Sequence, residues 1–152
     1  MTDAPKMTQQ VEKVLASAND EAARLNHEYI GTEHVLLALA ADREGVAVAA
    51  LQNLGVNLTE LRVRIDTAVK RGPADAKPLA TRPQTSRLKR ALDLATASAR
   101  ELGHSYLGAQ HLLLGLVDER KGIAAQILWT LGVRSDEARA EIARIIGHPP
   151  HS

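Results

Sequence analysis

The chain has 152 residues, no cysteine, an aromatic content of 2% and a formal net charge of +1. The missing cysteines exclude disulfides, thiolate metal sites and cysteine nucleophiles, and the balanced charge argues against a strong global field for nucleic acid or an anionic membrane. No apolar run reaches the roughly 18 residues of a membrane span, and Met1 to Gln10 is polar rather than signal-like, so we expect a cytoplasmic protein without a membrane segment.

Helical spacing dominates the sequence, which is rich in alanine and leucine and poor in the aromatic residues that favour strands. After an N-terminal tail at residues 1–7, Thr8 is placed to cap a first helix whose apolar residues recur at helical spacing. A Tyr-x-Gly turn then leads to a second helix, from Glu33 to Ala41, which is short and apolar on most of its faces. Helices of this composition are central ones.

Two more helices complete this first unit, which spans residues 8–70. The third is predicted from Val46 to Leu54 and stops before Gly55, which stands where a left-handed C-cap belongs. The fourth begins at Asn57, because Asn57 and Glu60 have the spacing of a capping box.

The four-helix pattern repeats after a linker at residues 71–84, which contains three prolines and no helical periodicity. The second unit, residues 85–147, aligns with the first without a gap at an offset of 77 residues, and about a third of the aligned positions are identical. Thr85 takes the place of Thr8, and Ser135 is predicted to cap the last helix. Residues 148–152 form a C-terminal tail. The sequence therefore predicts an all-α protein of eight helices in two halves.

One motif in the repeat is specific enough to identify a family. The pattern His-x-Tyr-[Ile/Leu]-Gly-x-x-His-[Val/Leu]-Leu-Leu-x-Leu starts at His27 and again at His104, and Gly-[Val/Ile]-Ala and Leu-Gly-Val follow in each copy. This doubled pattern resembles the Clp N-terminal repeat domain, which precedes the ATPase modules of the ClpC and ClpA unfoldases. The resemblance covers residues 7–147 and implies a pseudo-twofold bundle of eight helices.

The resemblance also implies a function. In this family the domain docks substrates and adaptor proteins, and in ClpC-type members it binds phosphorylated arginine. The acid of a Gly-Thr-Glu-His sequence is associated there with the modified guanidinium, and Thr32 and Glu33 match that sequence here. In the second unit the acid has become Gln110, a neutral amide that lacks the charge-assisted pairing of a carboxylate. We therefore expect one phosphoarginine site, with the second weakened or lost.

Two helix starts supply a further ingredient of anion binding, independently of the resemblance. Thr8 and Thr85 each cap a helix whose free N–H groups and dipole favour a phosphate. Arg87 adds a cation beside Thr85, whereas the equivalent residue of the first unit is the neutral Gln10. The unit that has the carboxylate thus lacks the arginine, and the unit that has the arginine lacks the carboxylate. The sequence leaves open whether two half-equipped sites bind.

Metal binding and catalysis find little support in the residues. His27 and His34, like His104 and His111, are separated by a glycine turn, which suits hydrogen bonds between turn and helix better than metal ligation. No nucleophile or oxyanion motif, phosphate-binding loop or Rossmann fingerprint is present, so we expect neither enzymatic activity nor a cofactor.

Two surface features allow more than one interpretation. The basic run from Arg82 to Arg90 has no interleaved aromatic residues, so a solvated helix face is a better interpretation than a nucleic-acid site. Trp129, which aligns with Gln52, is either a partner-facing anchor or a cover over the seam between the repeats.

The resemblance, with no ATPase motif in the chain, predicts a free-standing Clp N-domain protein. We expect it to act as an adaptor, substrate receptor or decoy in Clp-dependent proteolysis and to bind phosphoarginine-marked or unfolded polypeptides. Two alternatives stay open at this point. One is a scaffold that binds the Clp protease core or the unfoldase and tunes assembly, and the other is the N-domain of a full ClpC-type unfoldase.

Overall fold

The computed structural model describes residues 5–43, 45–75 and 79–147, and within these ranges the chain forms eight helices and two strands of two residues each. The all-α prediction is confirmed, although helical periodicity does not predict the two strands. Residues 148–152, the first four residues of the N-terminal tail and residues 76–78 of the predicted linker lie outside the described residues. The elements in chain order are β1 (Lys6–Met7), α1 (Gln9–Arg24), α2 (Thr32–Ala41), α3 (Val46–Asn53), α4 (Leu58–Ala68), α5 (Ser86–Glu101), β2 (Tyr106–Leu107), α6 (Ala109–Glu119), α7 (Ile123–Thr130) and α8 (Ser135–Ile146).

The helix starts largely follow the predicted caps. Thr8 Oγ1 accepts a hydrogen bond from the N–H of Val11 at 3.2 Å, and Thr85 Oγ1 accepts one from the N–H of Leu88 at 3.1 Å. Each hydroxyl therefore satisfies one of the unpaired donors at its helix start.

The predicted Ser135 cap is wrong. Ser135 is the first helical residue of α8, and Arg134 occupies the N-cap position without a side-chain hydrogen bond. The offset of the repeat explains the error, because it places Arg134 opposite Asn57, whose Oδ1 does accept from the Glu60 N–H at 2.9 Å. Arginine has no acceptor atom, so this helix start keeps its backbone donors free of a side-chain cap.

Helices α2 and α6 occupy the centre of the molecule, as their composition predicts. They start at Thr32 and Ala109, one residue before the predicted starts at Glu33 and Gln110. Their apolar residues are buried on all faces except at the C-terminal ends, where Ala40 and Val117 are partly buried and Ala41 is exposed. Helix α1 packs on α2, α5 packs on α6, and the two central helices contact each other. No helix in the described part of the chain is long and apolar enough to cross a membrane.

The two halves pack reciprocally. Helix α3 of the first repeat contacts α8 of the second, and α7 of the second contacts α4 of the first. Each repeat thus buries the apolar faces of its last two helices against the other repeat, as in a pseudo-twofold bundle.

Short strand pairings connect the start of each repeat to the turn of the other. Strand β1 pairs in parallel with β2, and Ile30 forms a parallel bridge with Gln84 at the position related by the repeat. The N–H of Thr8 donates to Leu107 O at 3.1 Å, and the N–H of Thr85 donates to Ile30 O at 2.9 Å. Consequently the N-terminus of α5 lies against the glycine turn of the first repeat.

The chain between α4 and α5 is anchored at both ends. The N–H of Gly72 donates to Leu25 O at 2.7 Å, and Arg82 Nε donates to His27 O at 2.7 Å. Arg82 also donates to Asn19 Oδ1 at 3.1 Å. For Arg82 the interpretation as part of a solvated helix face is therefore wrong, because its guanidinium ties this segment to α1 and to the turn before α2.

Candidate functional site

A surface cavity of about 340 Å³ lies where the glycine turn of the first repeat meets the starts of α5 and α7. We call it the composite cavity, because both repeats line it. Glu33 and Arg87, which the sequence places in two different half-equipped sites, face this same cavity. The lining residues are Tyr29, Thr32, Glu33, Thr85, Ser86, Arg87, Lys121, Gly122 and Ile123.

The two repeats are in close contact at Gly122. A Cβ atom at this position would lie 2.8 Å from Thr32 Oγ1 of the first repeat and 3.5 Å from Arg87 Cδ of the second. Thr32 Oγ1 also accepts a hydrogen bond from the N–H of Ala124 in α7 at 3.5 Å. The absence of a side chain at Gly122 therefore allows the turn of one repeat to approach the arginine of the other.

The carboxylate of the composite cavity belongs to Glu33, in the first turn of α2. Its side chain folds back over Gly31, where a Cβ would lie only 2.1 Å from Glu33 Oε1, so this orientation requires glycine. Burial raises the pKa of Glu33, while a hydrogen bond from its own backbone N–H and the nearby His27 lower it in part. Glu33 makes no ion pair within the described residues. An ionised carboxylate held in this way favours a cationic ligand with N–H donors.

A buried acid holds the arginine of the cavity in place. Arg87 Nη1 lies 3.2 Å from Glu119 Oε2, and Glu119 also accepts a hydrogen bond from the N–H of Gly122 at 2.6 Å. The Glu119 side chain is only 3% exposed, whereas that of Arg87 is 53% exposed. Arg87 therefore keeps a fixed anchor and a solvent-facing surface toward the cavity. Lys121 is a second, exposed cation at the same rim.

Free backbone donors complete the site. The N–H groups of Ser86 and Arg87, in the first turn of α5, make no hydrogen bond within the described part of the chain. Helix α7 also begins at the cavity, with Gly122 as its N-cap. Two helix N-termini and two cations thus surround a space that also contains one carboxylate, and the helix dipoles add to the positive potential.

The residues related by the repeat to Glu33 and Arg87 are electrically neutral. Gln110 is buried and its Nε2 donates to the Tyr106 hydroxyl at 3.2 Å. Gln10 stands where Arg87 stands in the second repeat, and its amide donates to Asp42. Thr8 caps α1 but does not face the composite cavity. Of the six residues predicted for ligand binding, the structure thus brings Thr32, Glu33, Thr85 and Arg87 together and places Thr8 and Gln110 elsewhere.

The sequence did not identify Glu119 or Lys121 as site residues. Both precede Gly122, and a glycine directly before a predicted helix is a signal for a helix start at which neighbouring side chains and backbone donors converge.

The histidines of the motif form a hydrogen-bonded chain in the first repeat. The Gly31 N–H donates to His34 Nδ1 at 2.8 Å, so His34 carries its proton on Nε2, which lies 2.8 Å from His27 Nδ1. His27 Nε2 then donates to Lys70 O at 2.6 Å. Burial, with neighbouring positive charges, lowers the pKa of His34 to about 4.

The second repeat repeats this arrangement. The Gly108 N–H donates to His111 Nδ1 at 2.8 Å, and His111 Nε2 lies 2.8 Å from His104 Nδ1. Burial likewise lowers the pKa of His111 to about 4. Within residues 5–43, 45–75 and 79–147 no group of three or more potential ligands could hold a metal ion. The histidines lock the turns to the helices, as the sequence predicts.

Trp129 lies on the surface of the second repeat. Its side chain is among the exposed large hydrophobic residues, at 62% exposure, and the Arg134 guanidinium carbon lies 3.3 Å from the ring centroid. It borders a groove of about 840 Å³ whose lining residues all come from the second repeat. Trp129 therefore does not cover the seam between the repeats.

Comparison with known families agrees with this architecture. The model of the Clp repeat (R) N-terminal domain matches residues 6–98 and again residues 83–152. The chain belongs to this family. Over 142 residues, 93% of the chain, it is 40% identical to ClpC/MecB of Bacillus subtilis, described as a negative regulator of genetic competence. It is 39% identical over 142 residues to the chloroplastic chaperone ClpC1 of rice. The chain spans 17% and 15% of the lengths of these relatives.

Solved structures share the fold of this Clp repeat domain. The N-terminal domain of ClpD from Arabidopsis thaliana superimposes with a TM-score of 0.70 at 20% identity, covering 93% of this chain and 95% of that one. The ClpV N-domain in complex with VipB peptide gives a TM-score of 0.71 at 16% identity, with coverages of 97% and 96%. At these identities the likeness shows the fold alone.

Proposed function

We propose that this Clp repeat domain binds polypeptides through a phosphorylated arginine, which the composite cavity holds. It would serve as an adaptor, substrate receptor or decoy in Clp-dependent proteolysis. The observation that carries the proposal is the meeting of the Glu33 carboxylate with Arg87, Lys121 and the start of α5 in one cavity.

Phosphoarginine matches both halves of this site. Its guanidinium retains N–H donors that suit the Glu33 carboxylate in the paired geometry of arginine and carboxylate. Its phosphate suits the free N–H groups of Ser86 and Arg87 and the charges of Arg87 and Lys121. Unmodified arginine would meet two cations without a phosphate to neutralise them, and phosphoserine would place an anion near Glu33 without a guanidinium. The cavity therefore selects a group that carries both charges.

The relatives support a polypeptide as the ligand. A ClpV N-domain of the same fold was solved in complex with VipB peptide, so this fold holds a peptide in that protein. We extend peptide binding to this chain as part of the proposal.

Calorimetric titration of a short phosphoarginine peptide tests the proposal. We expect one site per chain, because the residues related by the repeat, Gln110 and Gln10, are neutral. Glu33→Gln should weaken binding about 10- to 100-fold, since a hydrogen bond to a charged group contributes roughly 1.5–3 kcal/mol. Gln110→Ala, at the aligned position, is the matched control and should leave the dissociation constant unchanged.

Three results would contradict the proposal. The first is negligible heat with the phosphoarginine peptide, and the second is equal affinity for the same peptide with unmodified arginine or phosphoserine. The third is an equal effect of Glu33→Gln and Gln110→Ala, which would place the ligand outside the composite cavity.

A further inference from the structure

The composite cavity opens into a basic surface on the second repeat. A second depression, of about 800 Å³, shares Ser86, Arg87 and Lys121 with the composite cavity and adds Arg90 and Arg120. The groove beside Trp129 in turn shares Arg120 and Asp118 with this depression. The three spaces therefore adjoin one another from Glu33 to Trp129. We call the surface made by Arg87, Arg90, Arg120, Lys121, Trp129 and Arg134 the basic groove.

The charge of the basic groove is positive after its internal ion pairs are subtracted. Three acids line these spaces, and two of them are already paired: Glu119 with Arg87 at 3.2 Å, and Asp118 with Arg139 at 2.7 Å. The third, Asp136, is exposed and makes no ion pair within the described ranges, so the cations still outnumber the acids. Arg90, Arg120 and Lys121 are exposed and make no ion pair within the described ranges. Exposed cations without partners attract an acidic ligand.

The far end of the groove combines an aromatic ring with further donors. Arg134 covers one face of Trp129, and its Nη1 donates to Trp129 O at 2.8 Å, so the indole is held in a fixed orientation. Val117, Ala125 and Val133 line the groove beside it. An exposed, oriented tryptophan beside small apolar residues suits one large apolar side chain of a ligand.

The first repeat provides an internal comparison. The positions aligned with Arg87, Trp129 and Arg134 are Gln10, Gln52 and Asn57. In the first repeat, the depression around Gln10 and Lys13 and the one around Arg43 and Gln52 share no lining residue. Lys13 and Arg43 align with Arg90 and Arg120, but Arg87, Arg134 and the tryptophan have no counterpart in the first repeat, and only the second repeat joins its cations in one continuous surface beside the composite cavity.

We infer that the basic groove binds the residues flanking the phosphorylated arginine, and that it prefers an acidic polypeptide segment with one large apolar side chain. This inference rests on the proposed function, because the composite cavity fixes where the segment enters the groove. A polypeptide fits better than a nucleic acid, since three acids and only a single aromatic residue for stacking line the groove.

Trp129 is the only tryptophan of the chain, so its fluorescence reports directly on the far end of the groove. Three synthetic peptides of equal length are titrated at low ionic strength. The first has phosphoarginine between glutamates with one leucine, the second has phosphoarginine between serines, and the third has the acidic flanks with unmodified arginine. We expect the first to bind about five- to tenfold more tightly than the second and to shift the Trp129 emission, because each exposed charge pair contributes roughly 0.2–1 kcal/mol.

A double variant tests which residues cause this preference. Arg90→Gln with Arg120→Asn should abolish the difference between the first two peptides while leaving the affinity for the serine-flanked peptide unchanged. Asparagine is chosen because Arg120 has a left-handed φ of +72°, which asparagine tolerates. The matched control changes the aligned cations of the first repeat, Lys13→Gln with Arg43→Asn, and should retain the full preference.

The outcomes separate this inference from the proposed function. Equal affinities for the two phosphoarginine peptides, or a preference that the double variant retains, would contradict binding of acidic flanking residues by the basic groove. Neither result would contradict the phosphoarginine site in the composite cavity. If neither phosphoarginine peptide binds, the proposed function fails. The third peptide then tests whether the basic groove binds an acidic segment without phosphoarginine. Binding of that peptide with a Trp129 response supports an acidic segment, and no binding overturns it. Tighter binding of a short oligothymidylate than of any acidic peptide would also overturn it.

Discussion

The buried histidines make the stability of the fold sensitive to mild acid. The pKa of His34 and that of His111 are lowered to about 4, so both side chains stay neutral in the folded protein at pH 5.5. In the unfolded chain a histidine has a pKa near 6.5 and takes up a proton as the pH falls through this value. The contribution of these two side chains to the free energy of unfolding is therefore fully present above pH 6.5 and is lost as the pH falls from 6.5 to 4.

The hydrogen-bond chain explains why the neutral form is required. His34 Nδ1 accepts from the Gly31 N–H at 2.8 Å, and a proton on Nδ1 would place two donors against each other. The same conflict would arise between His111 and Gly108, which are also 2.8 Å apart.

The loss of stability follows from the two pKa values. Between pH 7 and pH 5.5, protonation stabilises the unfolded state by about 1 kcal/mol per histidine, or about 2–3 kcal/mol for both. Over the full interval from pH 6.5 to pH 4, each histidine lowers the free energy of unfolding by roughly 3 kcal/mol. Most Asp and Glu side chains remain ionised at pH 5.5, so this window isolates the histidines.

Urea unfolding followed by circular dichroism at pH 7 and pH 5.5 measures the change. We expect the free energy of unfolding to fall by about 2–3 kcal/mol in the parent protein, and by about half as much in His34→Asn or His111→Asn. Asparagine keeps an acceptor for the turn N–H but does not titrate. An unchanged urea midpoint between the two pH values, or an equal fall in the parent and both variants, would refute this reasoning.

Three further predictions concern the glycine in α6, the two threonine caps and the Glu33 carboxylate. Gly115→Ala should lower the free energy of unfolding by about 1–3 kcal/mol, because a Cβ there would lie 2.2 Å from the Ala91 carbonyl oxygen. Ala38→Gly, at the aligned position of the first repeat, should lower it by about 1 kcal/mol through lost helix propensity. If urea unfolding shows that Gly115→Ala stabilises the protein, the tight approach of α5 and α6 is contradicted. Thr8→Ala and Thr85→Ala should each lower the free energy of unfolding by about 1 kcal/mol, because each removes a helix cap. Only Thr85→Ala should weaken phosphoarginine binding in calorimetry, and equal weakening by both variants would argue against a single composite site. Because burial raises the pKa of Glu33, phosphoarginine affinity should begin to fall with decreasing pH above the ordinary titration range of a glutamate. In Glu33→Gln this fall in affinity should be absent. Identical pH profiles of affinity in the two proteins would show that Glu33 does not contact the ligand.

Much of the fold can be predicted from local sequence patterns. The eight helices, the caps at Thr8 and Thr85, and the left-handed turns at Gly55 and Gly132 depend on a few consecutive residues, and the structure shows φ values of +89° and +90° at these glycines. The family is equally evident from the doubled motif. The one misplaced cap, Ser135, results from reading a favourable residue type without applying the offset of the repeat.

The composite cavity could be predicted only in part. The sequence identifies Glu33, Thr85 and Arg87 as candidates, and it also shows that the second repeat has lost its acid. It assigns them to separate half-equipped sites, because residues close along the chain are the natural neighbours to group. In the structure the bond from the Thr85 N–H to Ile30 O joins the start of one repeat to the turn of the other.

Local sequence thus determined the eight helices, most of their caps and the replacement of the acid by Gln110 in the second repeat. The tertiary structure alone decided that Glu33 and Arg87 share a cavity and that the basic groove connects this cavity to Trp129. The physical reason is that helix formation depends on interactions within a few residues, whereas the partners of the site are more than 50 residues apart and meet only when the two repeats bury their apolar faces against each other.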